Sequence, residues 1–137
     1  MIVRFSLLVW LFAFIGPLAC SDAGCENSVL QDIPSPDGRR HAVIFERSCG
    51  ATTGFSTQVS VVPSVRDARG PGNVFTADTD HGKAPSGPGG GPIVAARWID
   101  RRTLEIRYDS AARVFHHERR HDDTDIRYVA APQSSRP

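Results

Sequence analysis

Two carboxylates and an imidazole stand close together in the chain at Asp78, Asp80 and His81, just before Gly82. Carboxylate oxygens are the ligands that Ca²⁺ prefers, and imidazole nitrogen is a frequent ligand of Zn²⁺. A calcium-binding loop would continue with a third ligand near Gly82 and with a later glutamate, and the sequence has neither. The segment therefore keeps two interpretations, an ordinary polar turn and part of a metal site.

A second group of candidate ligands surrounds His117, near the carboxyl end of the chain. On a strand, His116 and Glu118 would share one face while His117 points away from them. Two ligands on one face do not complete a site, so His81 or another distant histidine would have to converge on them. A solvated hairpin with paired charges is the alternative interpretation. The candidate metal ligands are Asp78, Asp80, His81 and His117.

Cys49 is followed by small residues, so a nucleophilic cysteine with a histidine base is conceivable. A disulfide would remove the thiolate that this chemistry needs. The Gly-x-Ser-x-Gly and Ser-x-x-Lys motifs do not occur in the sequence. We therefore predict no catalytic residue and no cofactor, and a metal-binding protein or small metal-dependent hydrolase remains the alternative to a non-catalytic protein.

The charge balance argues against a nucleic-acid partner. The 137 residues carry 16 Lys and Arg against 15 Asp and Glu, which gives a formal net charge of +1. Binding to nucleic acid requires an uncompensated basic stripe that neutralises phosphates, and the sequence contains no such stripe. Lys83 is the only lysine, so Schiff-base chemistry has a single candidate residue and is set aside.

The glycine-rich run at residues 87–91 lacks the preceding strand and the following helix of a phosphate-binding loop. Its composition is typical of a flexible connection. Long connections without regular structure are either mobile or functional. We predict that the loops at 48–56 and 78–92 face a partner, with Thr52, Thr53, Phe55 and Ser86 as candidate binding residues.

Residues 1–19 have the layout of a secretory signal, with Arg4, an apolar run over residues 5–15 and small residues up to Ala19. A retained membrane anchor is the alternative. It needs about 20 apolar residues, and Gly16 and Pro17 interrupt the run before that. We predict a signal peptide at 1–19, a tether at 20–28, and export to the periplasm or to a membrane surface.

The segment Pro17-Leu18-Ala19-Cys20 resembles the cleavage box of bacterial lipoproteins, in which the cysteine is acylated. Members of that class usually carry Leu three residues before the cysteine and a small residue two before it, whereas Pro17 and Leu18 stand there in this chain. Cleavage after Ala23 by an ordinary signal peptidase is the competing interpretation. Cys20 is thus the lipidation candidate, and a lipid there would be the only membrane contact we expect.

The cysteine count supports export independently. If Cys20 carries a lipid or is removed, Cys25 and Cys49 remain as a pair in an oxidising compartment. A disulfide between them would stabilise the fold by about 3 kcal/mol on the chain-entropy model. Two free buried thiols are the alternative.

The mature chain has the pattern of an all-β protein. Gly, Pro, Asp and Asn punctuate it about every ten residues, and the intervals are short, apolar and β-branched. Pro36 and Gly38 predict a tight turn between the first two strands. The strands are predicted at residues 29–33, 40–47, 55–62, 73–77, 93–99, 103–109, 114–118 and 125–130, with one helical turn possible at 65–69.

We predict a single antiparallel meander of about six to eight strands that forms a curled sheet or a small sandwich over residues 29–131, followed by a tail at 132–137. The strands at 114–118 and 125–130 are predicted to form the last hairpin. The predicted core residues are Phe45, Phe55, Val59, Val61, Trp98, Leu104, Ile106 and Tyr108.

The turn at 34–38, the segment Cys-Gly-Ala-Thr-Thr-Gly-Phe-Ser-Thr-Gln-Val-Ser at 49–60 and the glycine-rich run at 85–92 resemble those of a family of small, uncharacterised exported bacterial proteins. The likeness extends from Cys25 to about Val129. It implies bacterial export and implies no activity, ligand or catalytic residue. We therefore expect a non-catalytic binding or structural module of the cell envelope with an unidentified partner.

Overall fold

The computed structural model describes residues 24–51 and 53–133. It confirms the all-β prediction, since 54% of the described residues are strand and 3% are helix. The elements are β1 (Glu26–Pro34), β2 (His41–Ser48), β3 (Ser56–Val62), the 3-10 helix η1 (Val65–Asp67), β4 (Phe75–Asp78), β5 (Val94–Asp100), β6 (Thr103–Asp109), β7 (Arg113–His117), β8 (Arg120–His121) and β9 (Thr124–Ala131).

The strands form two sheets. One has five strands in the order β1-β2-β3-β4-β7, and the other has four in the order β5-β6-β9-β8. The inner faces share one cluster of buried side chains, so the sheets form an open sandwich that does not close into a barrel. β1 begins at Glu26, so residues 26–28 belong to the sheet rather than to the predicted tether.

The shared core follows from the two-residue period of the strands. Ala42 and Ile44 of β2 pack beside Val59 and Val61 of β3, and the other sheet contributes residues such as Leu104. The remaining buried members are Val74, Phe75, Ala77, Val94, Ile106 and Ile126.

A smaller cluster covers the outer face of the five-stranded sheet. Val43 and Phe45 of β2 pack there with Val62 and Ala68, and Val65 of η1 lies against them. The alternation of β2 predicts apolar residues on both faces, and the segment after β3 folds back to bury the second face. β2 is therefore buried on both faces between its two ends.

One predicted core residue is wrong. Phe55 is 48% exposed, because β3 begins only at Ser56 and Phe55 lies beyond the end of the sheet. Trp98 and Tyr108 are partly buried against the core. The other five predicted residues, Phe45, Val59, Val61, Leu104 and Ile106, are buried.

The predicted last hairpin is also wrong. β7 pairs with β4 in the five-stranded sheet, whereas β9 pairs in parallel with β6 in the other. The chain thus crosses between the sheets after His117, and Tyr128 of β9 packs against Phe75 with 5.8 Å between the ring centroids. Alternation predicts that both segments are strands but does not select their neighbours, which depend on the faces that they bury.

The Cys25–Cys49 disulfide is present, as the cysteine arithmetic predicts. It joins the start of β1 to the end of β2, next to the paired residues Glu26 and Ser48. The edge strand β1 is thereby tied covalently to the interior of its sheet. Within the part of the chain that the structure describes, no helix has the length and apolar character needed to cross a bilayer.

Candidate functional site

A hydrogen-bonded turn occupies the glycine-rich run. Ser86 and Pro92 form an antiparallel bridge, and the Gly87 amide donates to the Gly91 carbonyl at 2.8 Å. The Gly90 amide donates back to the Gly87 carbonyl at 3.0 Å, and Gly90 has a φ of +91°, which favours glycine. We call residues 86–92 the glycine hairpin. Its ordered turn differs from the flexible connection that composition predicts.

The glycine hairpin packs directly on the end of the five-stranded sheet. A β-carbon on Gly89 would lie 1.6 Å from Oε2 of Glu46, and one on Gly91 would lie 2.5 Å from Oγ1 of Thr57. Glu46 and Thr57 are register partners on β2 and β3. Side chains at these two glycines would therefore push the hairpin off the sheet.

Glu46 is the most unusual polar side chain of this region. It is only 9% exposed, and its Oε2 atom accepts no hydrogen bond from any described residue. Burial raises the pKa of the Glu46 carboxyl because the charged form loses its hydration. By contrast, the neighbouring Thr57 hydroxyl donates to the Pro92 carbonyl at 2.7 Å.

A groove lies between β1 and the glycine hairpin, with a volume of about 350 Å³. Val29, Leu30 and Gln31 of β1 all line it. Three consecutive lining residues are possible because β1 has a β-bulge between Val29 and Gln31, which interrupts the alternation of faces. The other lining residues are Ile44, Thr57, Gly87, Pro88, Gly89, Gly91, Pro92, Ile93 and Val94. We call this the apolar groove.

The apolar groove lies where the sandwich is open. β1 and β5 are each an edge strand of their sheet, so neither has a second neighbour among the described strands. The Trp98 indole N–H donates to the Ile33 carbonyl at 2.9 Å and links the two edges. Val29, Leu30 and Ile93 keep between 41% and 49% of their surface exposed. Apolar side chains of both sheets are thus accessible from one opening.

A second cleft lies on the other side of the glycine hairpin. Phe55, Asp78, His81 and Arg113 line it together with Gly90, against whose backbone the Phe55 ring packs. The structure thus brings together the two loops that the sequence predicts as a binding surface. Thr53 bonds within its own loop, where its hydroxyl donates to the Gly50 carbonyl, and Ser86 closes the glycine hairpin. Thr52 lies outside the described residues.

The carboxylates predicted as metal ligands are engaged by basic side chains. Arg113 donates from Nη2 to Asp78 Oδ2 at 2.5 Å, and Lys83 Nζ lies 2.7 Å from Asp80 Oδ2. Burial is the largest single influence on Asp78 and opposes its ionisation, but the hydrogen bonds from Arg113 and from the Asp80 amide, together with the nearby positive charge, outweigh it and lower the pKa of this carboxyl. The Lys83 hydrogen bond lowers the pKa of Asp80. Both carboxylates are therefore stabilised as anions by this chain's own cations.

His117 lies apart from the other predicted ligands. It is the register partner of Phe75 on β4, whereas Arg113 is the partner of Asp78. These positions are three residues apart, or about 10 Å along a strand. The His117 ring lies against Tyr128, with 4.7 Å between centroids. Within residues 24–51 and 53–133, no three His, Cys, Asp or Glu side chains are grouped to hold a metal ion, and the metal hypothesis stays a prediction.

None of the lining residues of the apolar groove was among the predicted site residues, and neither was Glu46. Glu46 shares a strand face with Ala42 and Ile44, and a charged residue on an apolar face was the available signal. Leu30 carried no such signal, because a bulge is not visible in the sequence. Cys20, the lipidation candidate, lies outside the described residues.

Comparisons with known proteins give no relative for this chain: no protein family, no curated protein and no solved structure matches it.

Proposed function

We propose that this chain is an exported, non-catalytic binding module of the bacterial cell envelope, and that the apolar groove takes the hydrocarbon part of a small amphiphile. The observation that carries the proposal is the apolar groove itself, which opens between two edge strands and is lined by aliphatic residues of both sheets around the β-bulge of β1.

The size and lining of the groove favour a small ligand. Its volume of about 350 Å³ lies within the range of about 300–1,000 Å³ that small-molecule sites occupy. The side chains around its opening are aliphatic, and among the described residues that line it only Gln31 and Thr57 have polar side chains. Such a site gains most of its affinity from buried hydrocarbon and its orientation from a few polar groups.

The bulge also argues against strand addition as the binding mode. A partner strand needs a regular row of backbone groups along the edge that it joins. The extra residue in β1 interrupts that row near Leu30, and bulged edges are a common way to prevent pairing. We therefore assign the groove to a small molecule rather than to an extended peptide.

Export rests on separate support. Residues 1–19 have the pattern of a secretory signal, and the Cys25–Cys49 disulfide is typical of proteins that mature in an oxidising compartment. We propose a periplasmic or membrane-anchored location, in which Cys20 either carries a lipid or is removed by cleavage after Ala23.

The groove is tested with the neutral fluorescent probe N-phenyl-1-naphthylamine and with dodecanol as competitor. We expect saturable binding of the probe at one site and its displacement by dodecanol. Leu30→Asn should weaken binding about tenfold, because it replaces aliphatic surface with an amide at the opening.

Ile99→Asn is the matched control, because Ile99 is 41% exposed against 42% for Leu30 and does not line the groove. The control should bind the probe as the parent protein does. Probe binding that does not saturate, or that both variants weaken equally, would refute a site in the groove.

A further inference from the structure

Four arginines converge at the end of the sandwich opposite the glycine hairpin. Arg39 and Arg40 lie in the β1–β2 turn, and Arg101 and Arg102 lie in the β5–β6 turn. With Asp37 and Asp123 they line a cleft of about 290 Å³. We call these six residues the arginine cleft. Four guanidiniums face two carboxylates there, so the lining carries a net charge of +2.

The turns hold the arginines in place through their backbones. The Gly38 amide donates to the Ser35 carbonyl at 2.8 Å, and Gly38 has a φ of +69°, as the predicted Pro-Asp-Gly turn requires. The Asp37 carboxylate accepts the Ser35 hydroxyl at 2.8 Å and the Arg39 amide at 3.2 Å. Asp37 is thus used to close the turn.

The β5–β6 turn is closed in the same way. The Arg102 amide donates to Asp100 Oδ1 at 2.7 Å. That carboxylate does not line the cleft. The Asp37 and Asp100 carboxylates therefore accept backbone amides of their own turns, and the arginines of both turns line the cleft.

Among the four arginines, Arg40 alone forms close ion pairs with described residues. Its Nη2 lies 3.1 Å from Asp123 Oδ1, and its Nη1 lies 3.7 Å from Asp122 Oδ2. Arg39 is attracted to Asp37 and Arg102 to Asp123 over longer distances. The two carboxylates therefore offset only part of the positive charge of the cleft, and a bound anion would reduce the repulsion that remains between the arginines.

We propose that the arginine cleft binds a phosphate group carried by an envelope ligand. Guanidinium presents its N–H donors in a planar fork that matches two phosphate oxygens, so several arginines from different turns can share one phosphate. A phosphate monoester carries a charge of about −1.5 to −2 near neutral pH, which complements the net charge of the cleft. A single carboxylate would leave part of this charge uncompensated.

The position of the cleft makes it independent of the apolar groove. Ile44 is the residue of β2 that lines the groove, and it lies three residues from His41, beside the arginine turn. Three residues of strand span about 10 Å. The two sites share no lining residue, so they can be tested separately.

The test is isothermal titration of the disulfide-intact protein with inorganic phosphate and with glycerol 3-phosphate, at low ionic strength and pH 7.4. We expect saturable binding that weakens as salt is added, because screening reduces the attraction. The Arg101→Gln/Arg102→Gln double variant should bind at least about tenfold more weakly, a loss of about 1.4 kcal/mol.

The Arg66→Gln/Arg69→Gln double variant is the matched control. It removes the same charge from two exposed arginines that do not line the cleft, and it should bind phosphate as the parent does. Equal weakening in both double variants, or the absence of saturable binding, would overturn the proposal.

Sedimentation with vesicles distinguishes two sources of the phosphate. Binding to phosphatidylglycerol vesicles, lost in the Arg101→Gln/Arg102→Gln variant, would identify a lipid headgroup. Binding to glycerol 3-phosphate without binding to vesicles would identify a soluble or polymer-borne phosphate. Vesicle binding that the double variant retains would contradict a role of the cleft at lipid surfaces.

Discussion

Gly89 lies so close to Glu46 that a β-carbon on the glycine would sit 1.6 Å from the carboxylate oxygen Oε2. The contact joins the glycine hairpin to the inner face of the five-stranded sheet, at the same end as the disulfide. It explains why this turn needs glycine at a position where the backbone alone does not demand it. It also leaves a carboxylate covered without a hydrogen-bond partner at Oε2 among the described residues.

Adding a methyl group at Gly89 should destabilise the fold. We expect Gly89→Ala to lower the free energy of unfolding by about 1–3 kcal/mol, because the hairpin or the Glu46 side chain must move. Gly70→Ala is the control, since nothing lies within 4 Å of a β-carbon at Gly70. Urea unfolding measures both.

The same contact predicts coupling between the two positions. Glu46→Ala removes the obstructing carboxylate, so Gly89→Ala should cost less than about 1 kcal/mol in that background. Additive effects in the double-variant cycle would mean that the strain arises elsewhere.

Glu46 should make stability depend on pH. Its pKa is raised by burial above the ordinary value of 4.5, so the folded chain holds this proton to a higher pH than the unfolded chain does. The stabilising effect of the proton is complete below pH 4.5 and is lost as the pH rises through the raised pKa. At pH 7, Glu46→Gln should therefore unfold at a higher urea concentration than the parent protein. The difference should disappear below pH 4.5, where the parent carboxyl is also uncharged.

Glu105 supplies a control of opposite sign. Hydrogen bonds from Arg97 and Arg107 lower the pKa of the Glu105 carboxyl below its ordinary value of 4.5. Ionised Glu105 therefore stabilises the folded state fully at any pH above 4.5. At pH 7, Glu105→Gln should unfold at a lower urea concentration than the parent protein. The difference should decline as the pH falls through the lowered pKa of Glu105. The same direction of change in both variants would contradict the assigned environments.

Loss of the disulfide should weaken the whole fold. The bridge spans 24 residues of sequence, and its removal in Cys25→Ser/Cys49→Ser should cost about 3 kcal/mol. Reductant should lower the stability of the parent by a similar amount and leave the double variant unchanged. Reactive thiols at Cys25 and Cys49 in denatured, unreduced protein would show that the bridge does not form.

Phe75 and Phe55 should differ sharply in their contribution to stability. Phe75 is fully buried, with its ring centroid 5.0 Å from that of Tyr108, whereas Phe55 is 48% exposed. Phe75→Ala should cost about 3–5 kcal/mol, and Phe55→Ala less than about 1 kcal/mol. If Phe75→Ala does not fold, Phe75→Leu is compared with Phe55→Leu instead. The loss of unfolding free energy should again be larger at Phe75, although both losses should be smaller than for alanine. Similar losses at the two positions would contradict the placement of Phe55 outside the core.

The positions of the strands were predictable from the sequence because period-two alternation and turn residues are local signals. The eight predicted strands agree with observed strands to within a few residues, and the 65–69 turn contains the observed 3-10 helix. The two-residue strand β8 has no predicted counterpart. The pairing of Cys25 with Cys49 followed from cysteine number and compartment. The two loops that form the second cleft were likewise recognisable from their glycine content.

The neighbours of β7 and β9, the exposure of Phe55 and the contact of Gly89 with Glu46 were decided by the tertiary structure alone. Each of these features depends on contacts between residues that are distant in the chain. Examples of such contacts are the pairing of Val114 with Ala77 and the ion pair of Arg40 with Asp123. Backbone preferences and alternation act over a few residues, so they determine which segments form strands and turns. Which strands pair, and which loops converge over a sheet end or in a charged cleft, is settled only when both sheets bury their faces together.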